Sequence, residues 1–408
     1  MLLKKQYTKS LFKFKGLALL LLALAPLACS SYTVVHYNIK ELDSQKLRQN
    51  SEQVGHVKNV LGQFDYDILS LNEVQYDLPS VPSQDYQSTG KNIELIKQIL
   101  NKNSFESVFY PANTGLRAKR KKDGTYATNP NSKEARSLGD QQNFGIFPAE
   151  YSTALMSRFP IKKIVEIHDL KWKTFNPQLN LKPFANAQGR PLSEEMELFD
   201  KNFTDATLLI EGKEVHLILL HTVPAYHFGN KKSVNLFRNL EQLRFLEWYL
   251  SGETDRQIPT NLPISPLAKD SNFIALGDFN TGYLSSASDQ VNGSQVLARL
   301  KQRFQFWMQS PDFSNESDGF SPAPMRLQLD YIIFSGDLQV VDGGIAHPES
   351  HFTDLGCNSS ASPKAASEML EVSYKKDGEI CRAYVTREYF EAKKSSDHFP
   401  LWAKFKIK

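Results

Sequence analysis

The chain is poor in cysteine: 408 residues contain only Cys29, Cys357 and Cys381. That excludes a small scaffold held by several disulfides. No long apolar run follows residue 28, which excludes a multi-span membrane protein. Charge of one sign is not in excess, with 48 Lys and Arg against 45 Asp and Glu. Internal repeats, low-complexity tracts and a clear interdomain linker are all missing. No Gly-x-Ser-x-Gly elbow occurs, which speaks against a serine hydrolase of that type. At 41% hydrophobic and 23% charged residues, the composition is that of a globular protein with ample chain for a large core.

The first 28 residues stand apart. Lys4, Lys5, Lys9, Lys13 and Lys15 precede an apolar run over 17–28, with no acidic residue among them. The run is too short to span a hydrocarbon core of about 30 Å. Its layout is that of a secretory signal. The end, Leu-Ala-Pro-Leu-Ala-Cys-Ser-Ser, is similar to a bacterial lipobox, in which Cys29 becomes the lipidated first residue. An ordinary cleaved signal with an incidental Cys29 is the other reading. The expectation is a signal over 1–28 and one exported domain over 29–408, held to a membrane through Cys29. Removing five lysines leaves 43 basic and 45 acidic residues, a net of −2. Net charge therefore gives no argument for a polyanionic partner. In an exported protein Cys357 and Cys381 are expected to pair. Two isolated thiols lack the close pairs of a zinc site.

Short β-branched apolar runs predict strands over 32–39, 68–71, 153–156, 206–210, 215–220, 273–276, 331–334 and 401–407. Apolar spacings of three and four predict helices over 92–100 and 234–250. Residues 205–220 read as a hairpin turning at Glu211-Gly212-Lys213. This order predicts an α/β fold with mixed sheets. Polar stretches at 110–147, 168–202 and 351–392 read as insertions. The first carries Arg117, Lys119, Arg120, Lys121 and Lys122, either a solvated loop or a phosphate-facing one.

Polar residues with possible chemistry stand where the strands stop. Residues 32–37 run into Asn38 and 67–72 into Glu73. Residues 216–220 run into His221, and 273–277 into Asp278-Phe-Asn280. Asp330 opens a strand, and Asp397-His398 precedes the last one. Sites assemble at strand ends in open α/β proteins. These ends offer four carboxylates, two imidazoles and two carboxamides. Hard oxygen donors of this kind suit Mg²⁺ or Mn²⁺. Phosphoester hydrolysis needs an in-line water, positive charge on the phosphate oxygens and help for the leaving group. A divalent ion and an Asp–His pair supply these. Seven other histidines, His36, His56, His168, His216, His227, His347 and His351, read as structural or surface residues. His227, six residues after His221, is the best exception. Tyr283 reads as a packing residue.

The motifs Tyr37-Asn38-Ile39, Leu71-Asn-Glu73-Val, Ser157-Arg158-Phe-Pro and Leu220-His221-Thr come first. Gly277-Asp278-Phe-Asn280, Leu329-Asp330-Tyr-Ile and Ser396-Asp397-His398-Phe-Pro400 follow. Through these seven, in order, residues 32–408 resemble the endonuclease/exonuclease/phosphatase superfamily. That is the fold of DNase I, abasic-site endonucleases and bacterial sphingomyelinases. The resemblance implies two packed mixed β-sheets flanked by helices, a four-layer sandwich. It implies a Mg²⁺ (or Mn²⁺) cofactor on Glu73 and Asp397, with Asn38 nearby. Asp278 and Asn280 would orient the attacking water and the phosphate, or hold a second metal. Asp330 would polarise His398, which acts as general base or as phosphate-stabilising cation. His221 would hydrogen-bond the phosphate or serve as general acid. Arg158 would reach phosphate or stay in solvent.

The implied activity is that of an exported, lipid-anchored, metal-dependent phosphoesterase. Its substrate would be nucleic acid, a phospholipid headgroup or a soluble phosphomonoester. Gln75 stands where DNase I-like nucleases carry a DNA-contacting Arg, which weakens a DNase reading. Trp172, Phe175 and Phe184 lie in an insertion where a lipid-contacting surface would be useful, or they pack inward. No protein partner is implied. A noncatalytic surface-binding lipoprotein on the same fold is the alternative outside the enzymes.

Overall fold

The β-branched runs become strands because alternate side chains leave opposite faces of a pleat, and here both faces are covered. The computed structural model describes residues 30–75, 91–129, 132–282, 293–307, 313–349, 352–357 and 369–408. The leader, Cys29 and Tyr283 lie outside the described residues. In chain order the strands are β1 (Tyr32–Leu42), β2 (Ile68–Val74), β3 (Glu106–Tyr110), β4 (Ser152–Ser157), β5 (Ile161–Ile167) and β6 (Phe203–Ile210). Next come β7 (Lys213–Leu220), β8 (Asn272–Asp278), β9 (Gln305–Trp307), β10 (Asn315–Glu316), β11 (Arg326–Leu327) and β12 (Asp330–Phe334). The last are β13 (Leu338–Ile345), β14 (Thr353–Gly356), β15 (Met369–Lys376), β16 (Glu379–Thr386) and β17 (Leu401–Ile407).

Two six-stranded mixed sheets result, ordered β13-β17-β1-β2-β4-β3 and β5-β6-β7-β8-β12-β9. The pairs β1/β2 and β7/β8 are parallel. Between the sheets, Val34, Ile68 and Leu155 meet Leu217, Leu219, Ile274, Leu276 and Ile332. On the outer face of the first sheet, Val35, Leu69 and Leu71 pack on the helices Glu52–Leu61 and Lys91–Ile99. On the outer face of the second, Ile218, Leu220 and Ala275 pack on the helices Asn235–Ser251 and Gly293–Arg303. These are the four layers that the resemblance implies. Residues 31–408 make one compact unit. Among the described residues no helix is long and apolar enough to cross a membrane.

Every predicted strand and both predicted helices are present. The hairpin turns at Glu211 and Gly212, both left-handed at φ 50° and 79°. That pair of angles matches the twist of the flanking strands. The polar insertions also carry core and secondary structure. Residues 168–202 bury Trp172, Phe175, Leu198 and Phe199 in the main core. Phe175 meets Phe245 edge-on at 5.3 Å and Phe184 stacks on Phe237 at 5.8 Å. These aromatics pack inward and form no lipid-contacting surface. Residues 351–392 hold a small sheet, β14-β16-β15, and the helix Arg387–Ser395. Cys357 and Cys381 are bonded there, with S–S 1.99 Å. In the first insertion Arg117 pairs with Glu197 at 2.7 Å and Arg120 stacks on Tyr126. Lys119 and Lys122 are exposed.

Buried polar residues join two insertions to the helix Asn235–Ser251. Arg238 donates to Asn143 Oδ1 at 2.6 Å, to Glu197 O at 2.8 Å and to Leu198 O at 3.0 Å. Glu197 accepts from Arg117, Lys171 and Asn143 at 2.7, 2.7 and 2.9 Å. Burial pushes the Glu197 carboxyl up, but Arg117 and Lys171 outweigh it and hold the pKa at about 2, below the ordinary 4.5. A carboxyl depressed on folding stabilises above its unfolded pKa, and the contribution fades as pH falls through the folded one. Glu197→Gln is expected to cost about 2 kcal/mol at pH 7, since both cations are part-exposed. It should also flatten the decline of the thermal midpoint from pH 4.5 to 2. Thermal melts across that range check this, and a wild-type decline in the variant would contradict it.

Candidate active site

The site is the continuation of the inter-sheet core. Period-two alternation puts Tyr32, Val34, His36 and Asn38 of β1 in one row toward the second sheet. In β2 the row is Ile68, Ser70 and Asn72. In the second sheet Val215, Leu217 and Leu219 lead to His221, and Ile274 and Leu276 lead to Asp278. The register Asp330↔Asp278 puts the start of antiparallel β12 beside the end of β8. Its row is Phe334, Ile332 and Asp330. The early members lie in the inter-sheet core, and the final ones are polar and buried.

Local breaks in the ladder aim these side chains. The β1/β2 register shifts between Asn38 and Leu42, and the β2/β4 register between Asn72 and Val74. Such bulges turn side chains out of the pleat. Lys40, Glu41 and Glu73 sit at φ 53°, 49° and 65°, left-handed geometry that costs of order 1 kcal/mol or more for a non-glycine. It lets the Glu41 N–H reach Glu73 Oε2 at 3.1 Å while Asn38 Nδ2 donates to Oε1 at 3.0 Å. Gly277 precedes Asp278 at φ 152°, and a Cβ there would lie 1.6 Å from the Leu220 carbonyl oxygen. Only glycine allows β7 and β8 to approach that closely. Asn280 is left-handed at φ 49°. Its N–H meets Asp278 Oδ1 at 2.8 Å and its amide donates to Thr222 O at 3.0 Å.

Asp278 Oδ2 is the meeting point. It accepts from Asn38 Nδ2 at 3.2 Å, and His221 Nε2 and His398 Nε2 lie 3.5 and 3.7 Å away. His398 Nδ1 lies 2.7 Å from Asp330 Oδ2, which also accepts from Ser314 Oγ at 2.6 Å. Burial lowers the His398 pKa, but Asp330 and Asp278 outweigh it and raise the value to about 10. Burial raises Asp330, yet His398 and His36 hold it well below the usual carboxylate range. Burial and the Asp330 charge push Asp278 up to about 7. Burial and the Asp397 carboxylate raise Glu73. Burial, then Lys201 and the other imidazoles, push His221 well below its ordinary value. Asp278, Asp330 and His398 offer ligand atoms within 4.8 Å of one another. With Nδ1 engaged and the imidazole favoured as a cation, that trio acts as a hydrogen-bonded pair plus a carboxylate.

Asn38, Glu73, His221, Asp278, Asn280, Asp330, Asp397 and His398 are thus brought to one end of the sandwich. Arg158 is not. Because β4 runs antiparallel to β2, Ser157 pairs with Ile68 and Arg158 lies beside Asp67. That is about 20 Å along the strand from Glu73. There Arg158 pairs with Asp67 at 2.7 Å and stacks over Tyr32 and Phe159. Asn38 Oδ1 accepts from the Lys40 N–H at 3.1 Å, so its amide works as a bridge between Glu73 and Asp278. His227 is exposed on the loop after His221. Sequence reasoning missed Lys40, whose Nζ lies 3.8 Å from Asp397 Oδ2 and also pairs with Asp318. It missed Ser314, which also accepts from the Leu329 and Asp330 N–H groups at 3.0 and 2.9 Å. It missed buried Lys201, bonded to Asp200 and Thr222 O. Lys201 lies two residues before β6, which was a findable signal; Ser314 had none.

Fold and site together define an α/β sandwich with an acidic, imidazole-bearing cluster where its two sheets meet at one end. The model of the Endonuclease/Exonuclease/phosphatase family matches residues 35–398, and the chain belongs to this family. Similar solved structures include an endonuclease/exonuclease/phosphatase from Beutenbergia cavernae: 12% identity, 92% of this chain and 72% of that one covered, TM-score 0.49. Sphingomyelinase C from Streptomyces griseocarneus has 15% identity, coverage of 92% and 99%, and TM-score 0.43. A mannosyl-6-phosphatase from Bacteroides thetaiotaomicron has 12% identity, coverage of 92% and 99%, and TM-score 0.44. No curated protein matches the chain in sequence.

Gly277→Ala must push β8 away from β7, and we expect a loss of at least about 2 kcal/mol of stability. Denaturant unfolding checks this. A variant as stable as the parent would contradict the close approach.

Proposed function

We propose that the chain is a divalent-metal-dependent phosphoesterase that hydrolyses a phosphodiester or related phosphate ester by in-line attack of water. The observation that carries the proposal is Asp278 Oδ2 within 3.2–3.7 Å of Asn38, His221 and His398, with Asp330 closed on the far side of His398. Two imidazoles and a carboxamide there face one carboxylate from both sheets. The donor set fits a hard divalent ion. Glu73 and Asp397 are oxygen donors, both only partly buried, and Asp397 raises the Glu73 pKa. Bringing two carboxylates together without a cation is costly. When bound, the ion supplies positive charge to the phosphate oxygens and a template for the water.

The protein's own groups divide the remaining work. Asp330 fixes the ring of His398 and stabilises its charged form, which favours the phosphate-stabilising cation over the general base. Asp278, with a pKa raised to about 7, is suited to take a proton from the attacking water near neutral pH. The Asn280 N–H holds its other oxygen. His221, kept neutral, donates a hydrogen bond to the phosphate. The same proposal includes export and lipid attachment at Cys29, supported by the five lysines and the apolar run before it. Mass spectrometry of the mature chain checks that step: its first residue should be a lipid-bearing Cys29.

The decisive assay uses residues 30–408 with Mg²⁺ or Mn²⁺ on a phosphodiester chromogen, a phosphomonoester chromogen, DNA, RNA and sphingomyelin. Cleavage of one class is expected. It should fall at least about 10²-fold in His398→Ala, vanish with EDTA and return with either ion. Full activity in chelator would remove the metal from the account. Silence on all five substrates, with metal bound, would favour a noncatalytic surface protein.

A further inference from the structure

We propose that His36 is a positioning residue of this site: it holds the second carboxylate oxygen of Asp330 and so fixes the orientation in which Asp330 grips His398. This rests on the phosphoesterase reading above, and it revises the structural role that sequence alone suggests for His36.

His36 is fully buried in β1, two residues before Asn38. It follows Val34 in the row that faces the other sheet. A buried imidazole there is costly unless both nitrogens are met. Nδ1 lies 3.1 Å from Ser70 Oγ, on the partner strand at the register position opposite His36. Nε2 lies 3.3 Å from Asp330 Oδ1, across the gap between the sheets. The two oxygens of Asp330 are unequally supplied. Oδ2 takes Ser314 Oγ and His398 Nδ1 at 2.6 and 2.7 Å. Among the described residues Oδ1 has no well-aligned hydrogen bond, and neither has His36 Nε2, which faces it.

The two unmet atoms answer each other when Nε2 carries the proton. The Ser70 hydroxyl, donating to Nδ1, selects that tautomer. The connected row Ser70–His36–Asp330–His398 then runs from the first sheet through the second into the site. A carboxylate gripped at one oxygen keeps freedom about its last torsion, which has broad wells. Gripping both removes that freedom. His36 thereby keeps Oδ2 on His398 Nδ1, and His398 Nε2 stays turned toward Asp278 and the phosphate.

Three variants test this. His36→Leu removes both nitrogens at similar volume. His36→Gln returns a donor near the place of Nε2. Ser70→Ala leaves His36 but frees its tautomer. We expect kcat to fall about 10- to 100-fold in His36→Leu, the range for groups that orient a catalytic side chain, with KM within about twofold. His36→Gln should recover most of the loss, and Ser70→Ala should lose less than His36→Leu. The proton NMR resonance of His398 Nδ1–H supplies a readout that needs no turnover. It should move in His36→Leu and return toward the wild-type position in His36→Gln. An unmoved resonance with wild-type kcat in His36→Leu would overturn the proposal. So would a His36→Gln that matches His36→Leu in kcat while only thermal stability changes. Should His36→Leu fail to fold, Ser70→Ala decides by the same resonance: moved supports the row, unmoved with wild-type kcat overturns it. A wild type inactive on every ester, with the resonance responding as expected, would sink the phosphoesterase reading and leave the role of His36 standing.

Discussion

Rows of apolar side chains from two sheets face each other, and those that feed the site end in polar residues at one edge of the sandwich. The pleat dictates this. Val34, Leu219, Leu276 and Ile332 exclude water from the inter-sheet layer, so the next inward residues, His36, His221, Asp278 and Asp330, meet in a medium of low polarity. Charges interact more strongly there than in water. Everything distinctive about the site follows from charged groups being forced together at the mouth of a dry layer. The cost is offset by mutual contacts, by the close β7/β8 approach at Gly277 and by bulges that aim Glu73.

Crowding also differentiates the groups. The two imidazoles are driven apart: His398, between Asp330 and Asp278, is raised, while burial, and after it the Lys201 charge, lowers His221. The carboxylates divide in the same way. Asp330 is lowered by its histidines, and Asp278 is raised by burial and then by the Asp330 charge. Groups of one chemical type thereby take separate roles, which is the usual signature of acid–base chemistry built into a fold. Membership of the Endonuclease/Exonuclease/phosphatase family agrees with that chemistry.

Most of the sandwich was legible because strand signals are local. Residues 32–39 and 215–220 carry their own pattern, and Glu211-Gly212 its own turn. The convergence of Asn38, Glu73, Asp278 and Asp397 was legible because each stands next to such a strand. Phosphate and solvent both stayed open for Arg158 because its motif cannot reveal that β4 runs back toward the far edge. For the insertion over 168–202, lipid contact and inward packing both stayed open because its polar composition hides the few large residues, such as Trp172 and Phe175, that decide its packing. His36 acts through Asp330 in the other sheet, and Ser314 holds the same carboxylate from the irregular segment before β10. Such pairings appear only when the sheets are stacked.

The most direct test of the account is to locate the ion itself, by anomalous diffraction from crystals grown with Mn²⁺. The account predicts a peak bounded by carboxylate oxygens of Glu73 and Asp397, with His398 still hydrogen-bonded to Asp330. A peak ligated by His398, or bound Mn²⁺ located away from Glu73 and Asp397, would contradict it.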